Sequence, residues 1–342
     1  MSQNKGVIQP RLERLEQMLG DPLFESILWG HEYDLNGLDN SLRVKIESGQ
    51  FKRIVFYGMG CSSVVSDIVK GFFLTEHIPI HVQVVNDYDS DWFIDRDTLK
   101  DDSTLTIIVC YSGWSVEPCL FFDTMRNMTG NRNLIVLSGG GKIASLCQEH
   151  GTSLIQYKLR HADREYPLYH VQQFFSIFLD LFYKLKITKS SYQSELEDSV
   201  KFLKAEFHEE TLKRAEAIAE KLRGESYRPA EHGGLAIVTF CDSNADDYTK
   251  NKIQTLKGLF GSKDVTQNSN IEFVNIEINQ DDFFKKFFFT HFFTIYIAYY
   301  LGKYSDVEGR DLISIAAKNP WWSQRSIELF PKCIDIPSVL ES

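Results

Sequence analysis

Apolar positions fall into short unbroken runs, each followed by a polar-punctuated stretch with helical spacing, the alternation expected of strands and covering helices. Residues 53–57 and 104–111 are β-branched, aromatic or apolar with little alternation, as in strands of a parallel sheet buried on both faces. After the first come Val64, Val65, Ile68 and Val69, and after the second Val116, Leu120, Phe121 and Met125, at the spacing of a helix face. A third strand over 133–137 runs into Ser138-Gly139-Gly140-Gly141, and three consecutive glycines mark a tight turn opening the next helix. Further on, 235–240 predicts a strand, 246–259 a helix and 271–278 a second strand. The pattern predicts an α/β fold with a parallel sheet flanked by helices.

The turns carry the candidate chemistry. Tyr57-Gly58-Met59-Gly60-Cys61-Ser62-Ser63 and Tyr111-Ser112-Gly113-Trp114-Ser115-Val116-Glu117 each close a strand with small hydroxyl residues and open a helix. The first amides of a helix lack internal partners and sit at the positive end of its dipole, so an anion is bound there by groups already aimed at it. Ser62, Ser63, Ser112 and Ser115 add hydroxyls, while Gly60 and Gly113 allow close approach of the backbone. Each loop alone reads equally as an ordinary helix cap; the two in one register favour a phosphate ligand. Neither a dinucleotide G-x-G-x-x-G loop nor a phosphate-binding G-x-x-x-x-G-K loop occurs, which removes the usual ground for nucleotide binding.

These segments, with Ser138-Gly139-Gly140-Gly141-Lys142-Ile143-Ala144, resemble the SIS (sugar isomerase) domain, and more narrowly the bifunctional phosphoglucose/phosphomannose isomerases, which carry two such domains. The resemblance is dense over 51–185 and thin beyond. It implies a flavodoxin-like parallel sheet, a reduced second domain, and the phosphate of a hexose 6-phosphate on Ser62, Ser112 and Ser115, with Gly60, Cys61, Ser63, Gly113 and Ser138 completing the substrate loops. Cys61 and Ser63 stand where the family commonly has glycine. Arg164, in Asp163-Arg164-Glu165-Tyr166-Pro167, takes the place of an arginine that stabilises an enediolate; the competing reading pairs it with Asp163 or Glu165 in a solvated loop.

The family's glutamate base and ring-opening histidine lie in motifs that this sequence lacks. One alignment puts Thr255, in Lys250-Asn251-Lys252-Ile253-Gln254-Thr255, where the glutamate falls. A second treats the base-bearing unit as deleted and leaves Glu231-His232 as a remnant, making His232 a catalytic candidate against a solvated loop pair. Lys318, after Ile315-Ala316-Ala317, matches a lysine that enters the family's active site, or else closes a helix where positive charge suits the dipole. The resemblance implies aldose–ketose isomerisation of a sugar phosphate without metal or cofactor. The alternative is a sugar-phosphate-binding protein that has lost the base.

Composition adds boundaries. The 342 residues suit two α/β domains: a helical lead over 1–50, the first domain over 51–186, a helical connector over 187–234, a reduced second domain over 235–320 and a tail over 321–342 carrying Trp321 and Trp322. A net charge of −10 opposes nucleic-acid binding. Six scattered cysteines, of which Cys110 and Cys119 read as small buried hydrophobes, and a polar start without an apolar core predict reduced thiols and a cytoplasmic protein. Residues 283–301 are intensely aromatic, but Lys285, Lys286 and His291 leave too short an apolar stretch for a bilayer, so the segment is expected at a buried position, against a partner subunit in a homodimer.

Overall fold

The computed structural model describes residues 15–87, 94–160, 170–226, 235–261, 271–280 and 282–304. The chain divides into two units, Ser26–Gln193 with Leu312–Ser342, and Met1–Glu25 with Ser194–Asp311.

The first unit is built on a six-stranded sheet of β1 (Tyr33–Asp34), β2 (Arg53–Tyr57), β3 (His81–Val85), β4 (Thr104–Cys110), β5 (Leu134–Ser138) and β6 (Ser153–Tyr157), with a short helix, α4 (Arg96–Lys100), ahead of β4. Their order is β1-β6-β5-β4-β2-β3, all parallel except β1, which pairs antiparallel with β6. All seven residues of β4 are buried, which is why its sequence shows no polar alternation. The pairings Ile54↔Leu105 and Phe56↔Ile107 set one face of the sheet, and Val55↔Thr106 and Tyr57↔Ile108 the other.

Each face has its own helices. On the second, Tyr57 stacks on Phe121 of α5 (Val116–Thr129) at 3.9 Å, within a cluster that includes Ile108, Cys110, Cys119, Phe122 and Ile143 of α6 (Gly141–His150). On the first, Phe56 meets Phe178 edge-on at 5.4 Å, and Phe72 and Phe73 of α3 (Cys61–Thr75) meet Phe175 and Phe182. Phe178 and its ring neighbours belong to α7 (Val171–Lys184), a helix buried nearly all round. Its buried polar side chains are paired: Gln172 Nε2 donates to Ser26 Oγ (2.7 Å), Gln173 Oε1 accepts from the Arg160 amide (2.9 Å), and Ser176 Oγ donates to the Ile27 carbonyl.

Within the expected helical lead over 1–50, the described residues include α1 (Asp21–Glu25), a 3-10 turn, β1 and α2 (Asn40–Glu47). Two glycines let residues 30–37 lie tight against the sheet edge and α7. A Cβ on Gly30 would fall 2.5 Å from the backbone of Ser176, and one on Gly37 would fall 2.3 Å from the Leu154 carbonyl oxygen.

The second unit pairs β7 (Leu235–Asp242) with β8 (Ile271–Ile278) in parallel, joined through α10 (Asp247–Gly261). Around them lie α8 (Gln193–Glu206), α9 (Glu209–Ser226) and α11 (Phe283–Tyr304). The aromatic segment singled out above is α11, and its own unit covers much of it. Phe288, Phe292 and Phe293 are fully buried, with Phe24 edge-on to Phe292 at 5.4 Å and Phe207 against Phe289 at 5.5 Å. Among the described residues no helix is long and apolar enough to cross a membrane.

Candidate functional site

Counted along its parallel members, the sheet order β3-β2-β4-β5-β6 is that of flavodoxin-like folds, and the winding reverses between β2 and β4. The chain leaves β2 towards α3 on one face and leaves β4 towards α5 on the other. Their loops therefore diverge at the carboxyl ends of adjacent strands, the place where such sheets form a ligand crevice. Both serine loops lie there.

The three turns are locked together. Gly113 has φ +74°, and a Cβ on it would come within 1.7 Å of the Gly140 carbonyl oxygen; Gly141 faces back onto Gly113 and the Ser112 carbonyl. The Gly113 carbonyl accepts the Ile143 amide of α6 (3.0 Å), and the Tyr111 carbonyl accepts the Gly139 amide (3.1 Å). The Gly-Gly-Gly run thus serves backbone contact between the second and third turns. In the first turn Gly60, at φ +57° and ψ −126°, precedes α3 in a conformation that suits glycine.

Hydrogen bonds sort the predicted serines. Ser62 Oγ accepts the Tyr111 amide at 3.4 Å, which ties the first loop to the second and leaves its own proton to donate. Ser112 Oγ accepts the Trp114 amide at 3.2 Å and likewise keeps a proton. Ser115 is the N-cap of α5 but makes no side-chain cap bond. By contrast, Ser63 Oγ donates to the Gly60 carbonyl (2.9 Å). The Ser138 proton serves the carbonyls of Cys110 (2.8 Å) and Gly140 (2.9 Å). Ser62, Ser112 and Ser115 are thus the donor-competent hydroxyls, and Ser63 and Ser138 brace the turns.

Helix α5 adds the amides of Val116 and Glu117 in its first turn, while Pro118, next in line, has no N–H and loses nothing there. Cys61 opens α3 as a buried thiol whose pKa burial pushes up to about 12, so it is neutral.

As the sequence predicts, Cys110, the last residue of β4, is buried in the core beneath the second loop. Burial raises its thiol above the usual range, and the nearby amides of Ser115 and Gly113 and hydroxyls of Ser115 and Ser112 offset that only in part.

A cavity of about 180 Å³ lies at the opposite ends of the strands, lined by Phe51, Lys52, Ile54, Leu105, Lys186 and others. It is a strand length away from the serine loops, roughly 16 Å for five residues. Arg164, His232 and Lys318 lie outside the described residues.

No family model matches the chain, and no curated protein matches it in sequence. Solved structures do. The C-terminal domain of glucosamine-fructose-6-phosphate aminotransferase from Francisella tularensis aligns at a TM-score of 0.54 and 11% identity, over 91% of this chain and 99% of that one. A Salmonella typhimurium LT2 protein described as sugar binding aligns at 0.51 and 13% identity, over 86% and 98%. Tagatose-6-phosphate ketose/aldose isomerase from Escherichia coli aligns at 0.47 and 13% identity, over 89% and 94%. At these identities the first two alignments show architecture alone, and that architecture is a SIS-type α/β fold.

Proposed function

We propose that this protein binds a sugar phosphate in the crevice between β2 and β4 and interconverts its aldose and ketose forms. The observation that supports the binding step is that the loops carrying Ser62, Ser112 and Ser115 and the first amides of α5 share the reversal point of the sheet. For the chemistry, Arg164 stabilises the enediolate oxygen and Lys318 or His232 moves the proton between C1 and C2. Within the SIS-type fold, the bifunctional phosphoglucose/phosphomannose isomerases are the proposed model, and a homodimer the proposed assembly.

A ligand that binds the folded state alone stabilises it, and at one hundred times its dissociation constant fructose 6-phosphate is expected to raise Tm by roughly 5–10 °C. The double variant Ser112→Ala/Ser115→Ala should lose that rise. If it keeps the full rise, the seat is elsewhere.

A second reading, binding without chemistry, is favoured by Thr255. The residue aligned with the family's base is exposed on α10 and its hydroxyl donates to the Asn251 carbonyl one turn back (2.8 Å). Proton exchange decides between them. Incubation with fructose 6-phosphate in deuterated water should place deuterium at C2 of the aldose product, followed by NMR. A wild-type protein that shows the melting shift but leaves every hexose and pentose phosphate unlabelled is a binder.

A further inference from the structure

Helix α3 ends at Thr75 and α7 at Lys184, so at the amino ends of the strands the first face of the sheet is covered by connecting chain instead of helix. The cavity of about 180 Å³ lies there. Its deepest lining is apolar: Ile54 and Leu105, register partners in β2 and β4, with Ile46 of α2 and Phe51, all 4% exposed or less. Ile80 and Ile187, both partly buried, line it as well.

Among the described residues, Lys52 and Lys186 are the only polar side chains in this lining, and they are not equivalent. Lys186 Nζ reaches the Glu47 carboxylate at 2.8 Å, and that carboxylate also takes the Arg43 guanidinium at 2.7 Å. Lys52 Nζ donates to the Gly49 carbonyl (3.2 Å) and pairs with no carboxylate among the described residues. It keeps two donors and an unmatched positive charge beside an apolar cavity.

Size and charge together define an occupant. An apolar cavity of roughly 150 Å³ stays dry and takes up benzene, so this one suits a hydrocarbon body of about six carbons. A sugar phosphate does not suit it, because its hydroxyls would give up water to meet isoleucine, leucine and phenylalanine side chains. A neutral hydrocarbon would leave the Lys52 charge unmatched, whereas a carboxylate would accept charge-assisted hydrogen bonds from it.

We propose that this cavity is a binding site for a small apolar monocarboxylate, its hydrocarbon part against Ile46, Ile54 and Leu105 and its carboxylate on Lys52. The site lies at the other ends of β2 and β4 from the serine loops and does not depend on the phosphate seat.

The test titrates the full-length protein, labelled at its isoleucine δ1-methyl groups, with hexanoate, hexanamide and acetate. Hexanoate is expected to shift the Ile46, Ile54, Ile80 and Ile187 resonances saturably, and to bind about tenfold more tightly than hexanamide, which keeps the body and loses the charge. Acetate keeps the charge and loses the body, and should move none of the four at the same concentrations. Lys52→Gln, a change at an exposed side chain, should bring hexanoate down to the affinity of hexanamide and leave Tm within about 2 °C of the wild type. Hexanoate that shifts none of the four methyls overturns the site. Equal affinities for hexanoate and hexanamide, or for wild type and Lys52→Gln, overturn it too, since the carboxylate then has no part in binding. Neither result touches the serine loops, which fructose 6-phosphate reports on separately.

Discussion

Gly113→Ala is expected to destabilise the protein by about 4 kcal/mol or more and to abolish the proposed phosphate binding, because two costs meet at one atom. At φ +74° an L-residue carries roughly 1–2 kcal/mol of backbone strain. The new Cβ would also lie 1.7 Å from the Gly140 carbonyl oxygen, a backbone atom that cannot swing aside. Relief requires the second and third turns to part, and parting them breaks the bonds from the Ile143 amide to Gly113 and from the Gly139 amide to Tyr111. Each such loss costs on the order of 1 kcal/mol. Gly60→Ala is the control: at φ +57° and ψ −126° it carries backbone strain, but the space around a Cβ is open, so strain of about 1–3 kcal/mol is the whole effect. Urea denaturation of the two variants measures the difference. Equal midpoints would show that the turns are not interlocked.

Phe178→Ala should cost about 3–5 kcal/mol by removing the central ring of the first face of the sheet. The ring is fully buried, edge-on to Phe56 and packed at 5.3 Å from Phe174 and 5.6 Å from Phe182. Its neighbours are themselves held between β2, α3 and α7, so the space left cannot close by a local shift. Phe178→Leu keeps most of the volume and should cost less than half as much. A loss below about 1.5 kcal/mol for the alanine variant, read from the denaturation midpoint, would mean that the aromatic layer repacks.

The central strands were legible because burial on both faces leaves no room for polar residues. The run at 53–57 coincides with β2 and the more alternating one at 271–278 with β8, and those at 104–111 and 133–137 differ from β4 and β5 by a residue or so at their ends. The strands β3 and β6 went unread. Their sequences, His81-Val82-Gln83-Val84-Val85 and Ser153-Leu154-Ile155-Gln156-Tyr157, are short and carry a glutamine, and β6 pairs in parallel only with β5 and meets just two residues of β1. β1 was hidden for a different reason: two residues have no periodicity, and pairing far along the chain creates them. At the site, the serines were visible from loop chemistry, but which of them keep a proton to give depended on partners such as the Tyr111 and Trp114 amides that no local pattern reveals.

Because β1 joins the sheet through β6, with Tyr33 opposite Tyr157, the segment synthesised first completes the sheet last. During translation Tyr33 and Asp34 leave the ribosome with no strand to dock on until the whole βα series up to β6 has emerged. Closing so large a loop is entropically slow, which makes this edge a late step in folding.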